Sequence, residues 1–531
     1  MKMGWTKYAA VAFLFTAQGL LFLVIPSNLP QIYLSPDETA VAVTAREFGT
    51  DWSFRLPDNI LKDGPWIRPR SFVTHDAALV PVGFLGMPLL AGMVWKFLGE
   101  FGLLLLTPCL VLACIYPLWR FMRGFGFAAQ VAGVAAWLSF PMVILYANRG
   151  LFPNLAMVCL MLWAAFLVWK KLDTKALIIA GLLTGMAVAI RPTEIVWAGV
   201  WIAAAWVAGS GSKFSRHDWK NIATFLATSA VVPAITALLA WKTYGAPWMI
   251  GYWLRDSAEV TVQSAEATAL LQNPGRIWPF GFHPRAVLNN AENYLVYILG
   301  PWAATALVAT VLWIKRENSR IAIMAGAWTA AVLCLIYGNT VYQDHVGHNI
   351  VSVGNSYLRY LLPLAPFFAL AVGAVSARLV EILPRNRAKL GVSVLAAVLV
   401  ALGIWTAFSK DDEGLNSSVP ELVRYETIRE TAYKNYGRNA IVVSERSDKI
   451  FFPVMRAVTP VPDDERLKDL AAYYSDSVLL FDTTYGPEKI QDMAERGLYL
   501  NPVLATKNQT LYEVTLLPVT SEPDMDIEPQ P

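Results

Sequence analysis

The residues best suited to chemistry stand near the start of the chain, in Ser35-Pro36-Asp37-Glu38-Thr39-Ala40, ahead of a helical pattern at Val41, Ala45 and Phe48. Proline tolerates the first turn of a helix and negative charge suits its N-terminus, so the acid pair reads first as a helix start. Its context supplies a second reading. The pair comes soon after an apolar stretch at 8–25, where a carboxylate would overlook a bilayer from outside. There it can act as general base on an acceptor hydroxyl while a lipid-linked leaving group lies in the membrane below.

Cations that could hold a phosphate are few on that side. Arg149, Arg191 and Arg359 each fall at the end of an apolar stretch, and arginine suits bidentate phosphate binding. The competing reading is interfacial snorkelling, with Glu194 as a local partner for Arg191. Arg68 and Arg70 are further candidates. His75-Asp76 could be a base and its orienter, but an exposed turn is the better reading. Asp344-His345-Val346-Gly347-His348 has a metal-like spacing, yet on a loop it reads better as two solvated histidines. Asn416-Ser417-Ser418 and Asn508-Gln509-Thr510 fit a glycosylation pattern that is frequent by chance. Pro462-Asp463-Asp464-Glu465 reads as a helix N-terminus.

The elements that must position these residues are membrane helices. Of the 531 residues 56% are hydrophobic and only 16% charged, with a mean hydropathy of +0.43; a soluble domain of this size needs more charge to cover its surface. The 20 Trp and 20 Tyr fit wide membrane interfaces, where amphipathic rings settle at headgroup depth. A net charge of +3, with no basic run interleaved with aromatics, excludes nucleic acid as a partner. Cys109, Cys114, Cys159 and Cys334 lie singly in apolar stretches and read as small packing residues. No internal repeat is visible.

Stretches long enough to span occur at about 8–25, 102–119, 127–147, 154–169, 176–190, 194–209, 221–241, 294–314, 321–338, 358–377 and 390–408, so about eleven transmembrane helices are expected. The first, without a small-x-small cleavage site before Pro26, reads as an uncleaved helix. Connections carrying Arg120/Arg123, Lys170/Lys171/Lys175, Lys213/Arg216/Lys220, Lys315/Arg316/Arg320 and Arg385/Arg387/Lys389 alternate with connections poor in Lys and Arg. The basic set and the N-terminus are therefore expected in the cytoplasm, and the C-terminus outside. Three long segments then face outward: a first loop at 26–100, a Trp/Pro/Gly-rich segment at 243–292 and the tail from 409. Within the first loop, 79–98 contains Pro81, Gly83, Gly86 and Pro88 and reads as a helix lying in or dipping into the interface rather than a full span. If it spanned, every later orientation would invert.

The tail changes composition sharply. Strand-like runs at Ala440–Ser444 and Ser477–Phe481 alternate with amphipathic patterns at Glu421–Tyr436, Glu465–Tyr474 and Pro487–Arg496, which predicts a small α/β domain over 409–520. Residues 521–531 read as a disordered end. The transmembrane domain is expected over 1–408.

Within the spans there is almost no Asp, Glu or Lys, whereas an ion-coupled transporter buries such groups at the bilayer midplane. The ordered set of motifs resembles instead the GT-C superfamily of polyprenyl-phosphate-sugar-dependent glycosyltransferases, which includes protein O-mannosyltransferases and lipid A aminoarabinose transferases. Asp37-Glu38 matches the acidic motif opening that family's first outer loop. Gly181-Leu182-Leu183-Thr184-Gly185-Met186-Ala187 with Arg191-Pro192-Thr193 looks like its Gly-rich helix ending in a basic residue. Arg359-Tyr360-Leu361-Leu362-Pro363-Leu364-Ala365-Pro366 looks like its late-helix start. The family's Arg-Tyr after the acid pair is replaced by Thr39-Ala40-Val41, and its second Asp by Asn154.

The resemblance implies an α-helical polytopic membrane protein of GT-C type in a plasma or bacterial inner membrane. It would transfer a monosaccharide, with inversion, from a polyprenyl-phosphate donor to a lipid, glycan or protein acceptor. Asp37 would be the base, with Glu38 positioning substrate or serving as base itself; Arg359, with Tyr360, Arg191 and Arg149, would hold the donor phosphate. Family members differ in metal dependence, so a divalent cation stays open. The reading from another class is a lipid-linked-sugar flippase, which would share the phosphate-binding arginines without needing the acid pair. A surface-polysaccharide polymerase or ligase is a further alternative.

Overall fold

The computed structural model describes residues 16, 19–25, 32–58, 61, 64–170, 174–210, 216–254, 281–313, 317–340, 342, 351–409, 413–474, 477–506 and 508–516. The 8–25 stretch falls largely outside them, as do the 344–348 histidine loop, half of the 243–292 segment and the 521–531 end. Among the described residues, 5 helices are long and apolar enough to cross a membrane, or up to 8 if each of 3 bent helix pairs is one span. The chain is a multi-pass membrane protein. Each apolar stretch after the first carries a helix, the short Pro153–Trp169 included.

The bends have local causes. Phe127–Leu138 and Pro141–Asn148 meet at 50°, and Thr174–Ile190 and Pro192–Gly209 at 119°. In both pairs the second member opens on proline, whose ring drives the preceding residue out of helical backbone. Phe140 accordingly has ψ 125°, and Arg191 has φ −146° and ψ 86°. Proline thus places Arg191 at a corner.

The 79–98 stretch is not one helix. Leu79, Val80 and Pro81 belong to a strand, and a helix begins only at Gly86, after Pro81 and Gly83 have interrupted the pattern. That helix, Gly86–Ala113, breaks at Gly99, whose φ of 59° and ψ of −149° suit glycine alone. The part before the break packs on the helix Pro36–Asp51. Two glycines permit the approach: a Cβ on Gly49 would lie 2.3 Å from the Trp95 ring, and one on Gly92 2.8 Å from the Phe48 ring. At the break, Glu100 accepts Arg46 Nε and Nη2 at 2.7 and 2.8 Å and Trp95 Nε1 at 2.9 Å. Phe97, Leu98 and Phe101 stand exposed there, an apolar corner suited to a bilayer interface. Cys109, read as a packing residue, is exposed instead, on the apolar Gly86–Ala113 helix.

The first loop carries an antiparallel sheet of order β1-β3-β2, from β1 (Leu56–Pro57), β2 (Phe72–His75) and β3 (Ala78–Pro81). Asp76 and Ala77, both at positive φ (47° and 55°), make the two-residue turn whose twist matches a hairpin. The tail opens with the helix Leu415–Tyr436. It continues through β4 (Ile441–Ser444), β5 (Arg456–Val458), β6 (Val478–Thr483), β7 (Tyr499–Ala505) and β8 (Gln509–Thr515). The sheet order is β5-β4-β6-β8-β7, with β4 parallel to β5 and β6, and β8 antiparallel to β6 and β7.

Both faces of this sheet are buried, which is why its central strands are continuous apolar runs. Val442, Leu479, Phe481 and Leu511 meet Leu422, Tyr425, Ile428 and Ala432 of the Leu415–Tyr436 helix. The alternate residues Ile441, Val443, Val478 and Leu480 meet Ala40, Val43, Ile67, Phe72 and Leu79 of the first loop. The first loop and the tail therefore share one core.

Candidate active site

Ser35 caps the Pro36–Asp51 helix: its Oγ accepts the Asp37 N–H at 3.3 Å, while Pro36 occupies the first turn. Adjacent helical residues diverge by roughly 100°, and the two acids go to different surroundings. Asp37 is 51% exposed; its Oδ1 accepts the Ser71 hydroxyl at 2.9 Å and its Oδ2 lies 3.7 Å from Arg359 Nη1. Glu38 is 3% exposed, and its Oε2 accepts Arg149 Nε and Nη2, both at 3.2 Å. Burial pushes the Glu38 carboxyl up, and Arg149 opposes the shift.

The three arginines come together in a row separated by rings. The Phe152 ring has the Arg149 guanidinium 4.7 Å and the Arg359 guanidinium 4.9 Å from its centre. The Tyr360 ring has Arg359 at 5.4 Å and Arg191 at 4.9 Å. Each distance is within cation–π reach, so the rings carry cations that would otherwise repel one another. Buried carboxylates neutralise both ends: Glu38 meets Arg149, and Glu194 accepts Arg191 Nε at 3.1 Å. Tyr337 OH donates to Glu194 Oε1 at 2.6 Å, Trp197 Nε1 donates to Oε2, and Tyr337 stacks on Tyr360 with ring centres 4.1 Å apart. The middle member is held most loosely. Arg359 has Asp37 at the longer distance, and its Nε is buried without a hydrogen-bond partner.

Of the expected site residues, Asp37, Glu38, Arg149, Arg191, Arg359 and Tyr360 therefore converge. Arg68 Nη1 is engaged by the Phe72 carbonyl at 3.1 Å. The Arg70 backbone N–H donates to Asp448 Oδ2 at 2.8 Å, and its guanidinium charge acts on Lys449, as does that of Arg149. His75 and Asp76 form the hairpin tip, with Arg55 Nη2 donating to both their carbonyls at 3.2 Å. Asn154 is buried and its Oδ1 lacks a partner. Among the described residues no group of 3 or more His, Cys, Asp or Glu is arranged to hold a metal ion. Sequence reasoning missed Ser71 and Phe152. A hydroxyl on a remote loop leaves no signal, but an aromatic lying between arginine-bearing helix ends was readable.

The overall fold recurs in solved structures. The chain superposes on ArnT from Cupriavidus metallidurans, solved with undecaprenyl phosphate bound, with a TM-score of 0.58 and 13% identity, over 98% of this chain and 100% of that one. It also matches an Archaeoglobus fulgidus oligosaccharyltransferase, solved with a tethered acceptor peptide, with a TM-score of 0.50 and 11% identity, over 90% of this chain and 70% of that one. No family model and no curated protein sequence matches the chain. The fold is the GT-C fold: polytopic, α-helical and membrane-embedded, with a small α/β tail.

Proposed function

We propose that the protein is a membrane glycosyltransferase that moves a monosaccharide from a polyprenyl-phosphate donor to an acceptor hydroxyl of a lipid, glycan or protein at the extracytoplasmic face. Asp37 takes the acceptor proton, the acceptor oxygen attacks the anomeric carbon, and the bond from that carbon to the phosphate oxygen breaks. The configuration inverts, and the lipid phosphate leaves with the bonding electrons. A phosphate needs no proton to leave, so a single carboxylate suffices as base.

The observation that carries this reading is the contrast within the arginine row. Arg149 and Arg191 are matched by buried carboxylates, whereas Arg359 keeps an unsatisfied buried Nε and faces a half-exposed Asp37. A buried donor without a partner costs about 1–3 kcal/mol, which a bound phosphate oxygen relieves. The same contrast favours Asp37 over Glu38 as the base, since Glu38 has neither exposure nor a free charge. ArnT in its bound form and an oligosaccharyltransferase share this fold, which supports a lipid-linked donor.

The test is transfer of label from radiolabelled polyprenyl-phosphate sugars in membranes or detergent, with wild type beside Asp37→Asn. Label is expected in a new product with wild type, and the rate is expected to fall by about 10²- to 10⁴-fold in the variant. Full activity of Asp37→Asn would remove Asp37 from the mechanism. Lipid crossing vesicles with no donor consumed would replace the enzyme by a flippase.

A further inference from the structure

The mechanism above draws on the first loop and the membrane helices and leaves the tail domain without a part. Yet two consecutive tail residues reach both chain segments that deliver Asp37. Asp448 and Lys449 open the short helix Asp448–Phe451 that follows β4. The Asp448 carboxylate is 1% exposed and accepts the Arg70 N–H at 2.8 Å. The Lys449 ammonium donates to the Leu34 carbonyl at 2.7 Å and lies 5.2 Å from the centre of the Tyr425 ring.

Leu34 precedes Ser35, the cap of the helix that carries Asp37. Arg70 precedes Ser71, whose hydroxyl binds Asp37 Oδ1. One donor and one acceptor, side by side in the chain, thus hold one carbonyl and one N–H on either side of the base.

We infer that Asp448 and Lys449 are positioning residues for transfer: by fixing Leu34 and Arg70, the tail domain sets where the Asp37 carboxylate points. The inference rests on the glycosyl-transfer reading. Adhesion alone does not call for this arrangement. The apolar core shared by loop and tail already joins them, with the rings of Phe72 and Phe452 centred 5.0 Å apart. Burying a carboxylate and an ammonium adds a desolvation cost that more apolar contact would avoid. Directional bonds to two chosen backbone groups fix orientation, which apolar contact does not, and a misplacement near 1 Å costs on the order of 100-fold in rate. The charges around Lys449 are Arg70 and Arg149, which disfavour its ammonium, and Asp448, Glu421 and Glu38, which favour it, with the arginines the stronger influences.

The experiment measures kcat and the donor and acceptor KM of the full-length protein in detergent with polyprenyl-phosphate sugar, for wild type, Lys449→Met, Asp448→Leu and Asp448→Asn. Lys449→Met and Asp448→Leu are expected to lower kcat by roughly 10- to 100-fold while donor KM stays within about threefold. Asp448→Asn keeps an oxygen for the Arg70 N–H and is expected to recover most of that loss. Unchanged kcat in Lys449→Met and Asp448→Leu would overturn the inference while leaving the enzyme class standing. Equal losses in Asp448→Asn and Asp448→Leu, or losses of kcat matched by losses of donor binding, would also overturn it, since a merely structural role gives that pattern. If wild type transfers nothing from any donor, the failure belongs to the functional reading instead.

Discussion

At the scale of the residue, two neighbouring carboxylates have been given opposite roles by one helical step. Asp37 faces solvent and a loosely held arginine, while Glu38 is enclosed with Arg149. The acid pair and the three arginines were visible in the sequence as residue types at helix ends. Their pairing was not, because Glu38 and Arg149 lie far apart in the chain and no local rule joins them. The pairing has a measurable consequence. Glu38→Gln leaves the Arg149 guanidinium buried without a counter-charge, and removing one partner of a buried pair costs about 3–5 kcal/mol. Thermal unfolding in detergent is expected to shift down accordingly, and a second change, Arg149→Met, made on top of the first is expected to recover part of the loss. An unchanged midpoint in Glu38→Gln would show the pair to be solvated.

At the scale of the element, positions where the chain must break were more legible than the contacts that the breaks create. The break between the stretches 176–190 and 194–209 was read from the sequence, with Arg191 at a helix end, whereas the Pro81 and Gly83 punctuation after Leu79 was passed over as a helix breaker. What no local pattern revealed is that the corner is buttressed by a glycine on another helix. A Cβ on Gly86 would lie 2.2 to 2.4 Å from backbone atoms of Ala189 and Ile190, which cannot swing aside as a side chain would. Gly86→Ala is therefore expected to lose about 1–3 kcal/mol of stability and to displace the Arg191 corner; a crystal structure or unfolding curve identical to wild type would contradict this. The Asp448–Phe451 helix adds a pH dependence. Desolvation, with Arg70 and Arg149 nearby, brings the Lys449 ammonium down from 10.5 to about 8. The unfolded chain therefore holds this proton more tightly than the folded one between those values, and stability from this group rises with pH across that window. The unfolding midpoint of wild type minus that of Lys449→Met is expected to grow from pH 7.5 to pH 10. A difference independent of pH would place the amine in water.

At the scale of the whole molecule, the helices sort the charges. Phe127–Leu138 with Pro141–Asn148 runs from the Arg123 turn to Arg149, and Thr174–Ile190 from Lys175 in its first turn to Arg191. Pro153–Trp169 returns from Phe152 to Lys170, and Ala365–Ile382 leads from the Arg359 end to Arg385. Each of these helices thus has basic residues at or just beyond one end and the residues of the candidate site at the other. This alternation was readable from the loops alone because the positive-inside rule counts residues and needs no fold. The shared core of first loop and tail was not readable, since a strand such as Ile441–Ser444 advertises that both its faces are covered without saying by what. The two together predict a tail on the side of the membrane away from the basic ends, which is open to direct test. Tyr473 is 84% exposed on the tail, and Arg387 is exposed in the first turn of the helix Arg385–Ser409, beside Arg385 and Lys389. In sealed membranes of known orientation, Tyr473→Cys is expected to react with a membrane-impermeant maleimide from the extracytoplasmic side. Arg387→Cys is expected to react only after permeabilisation, with the unsubstituted protein as the control for its native cysteines. The reverse labelling would turn the molecule over and put Asp37 in the cytoplasm, where an acceptor outside the cell could not reach it.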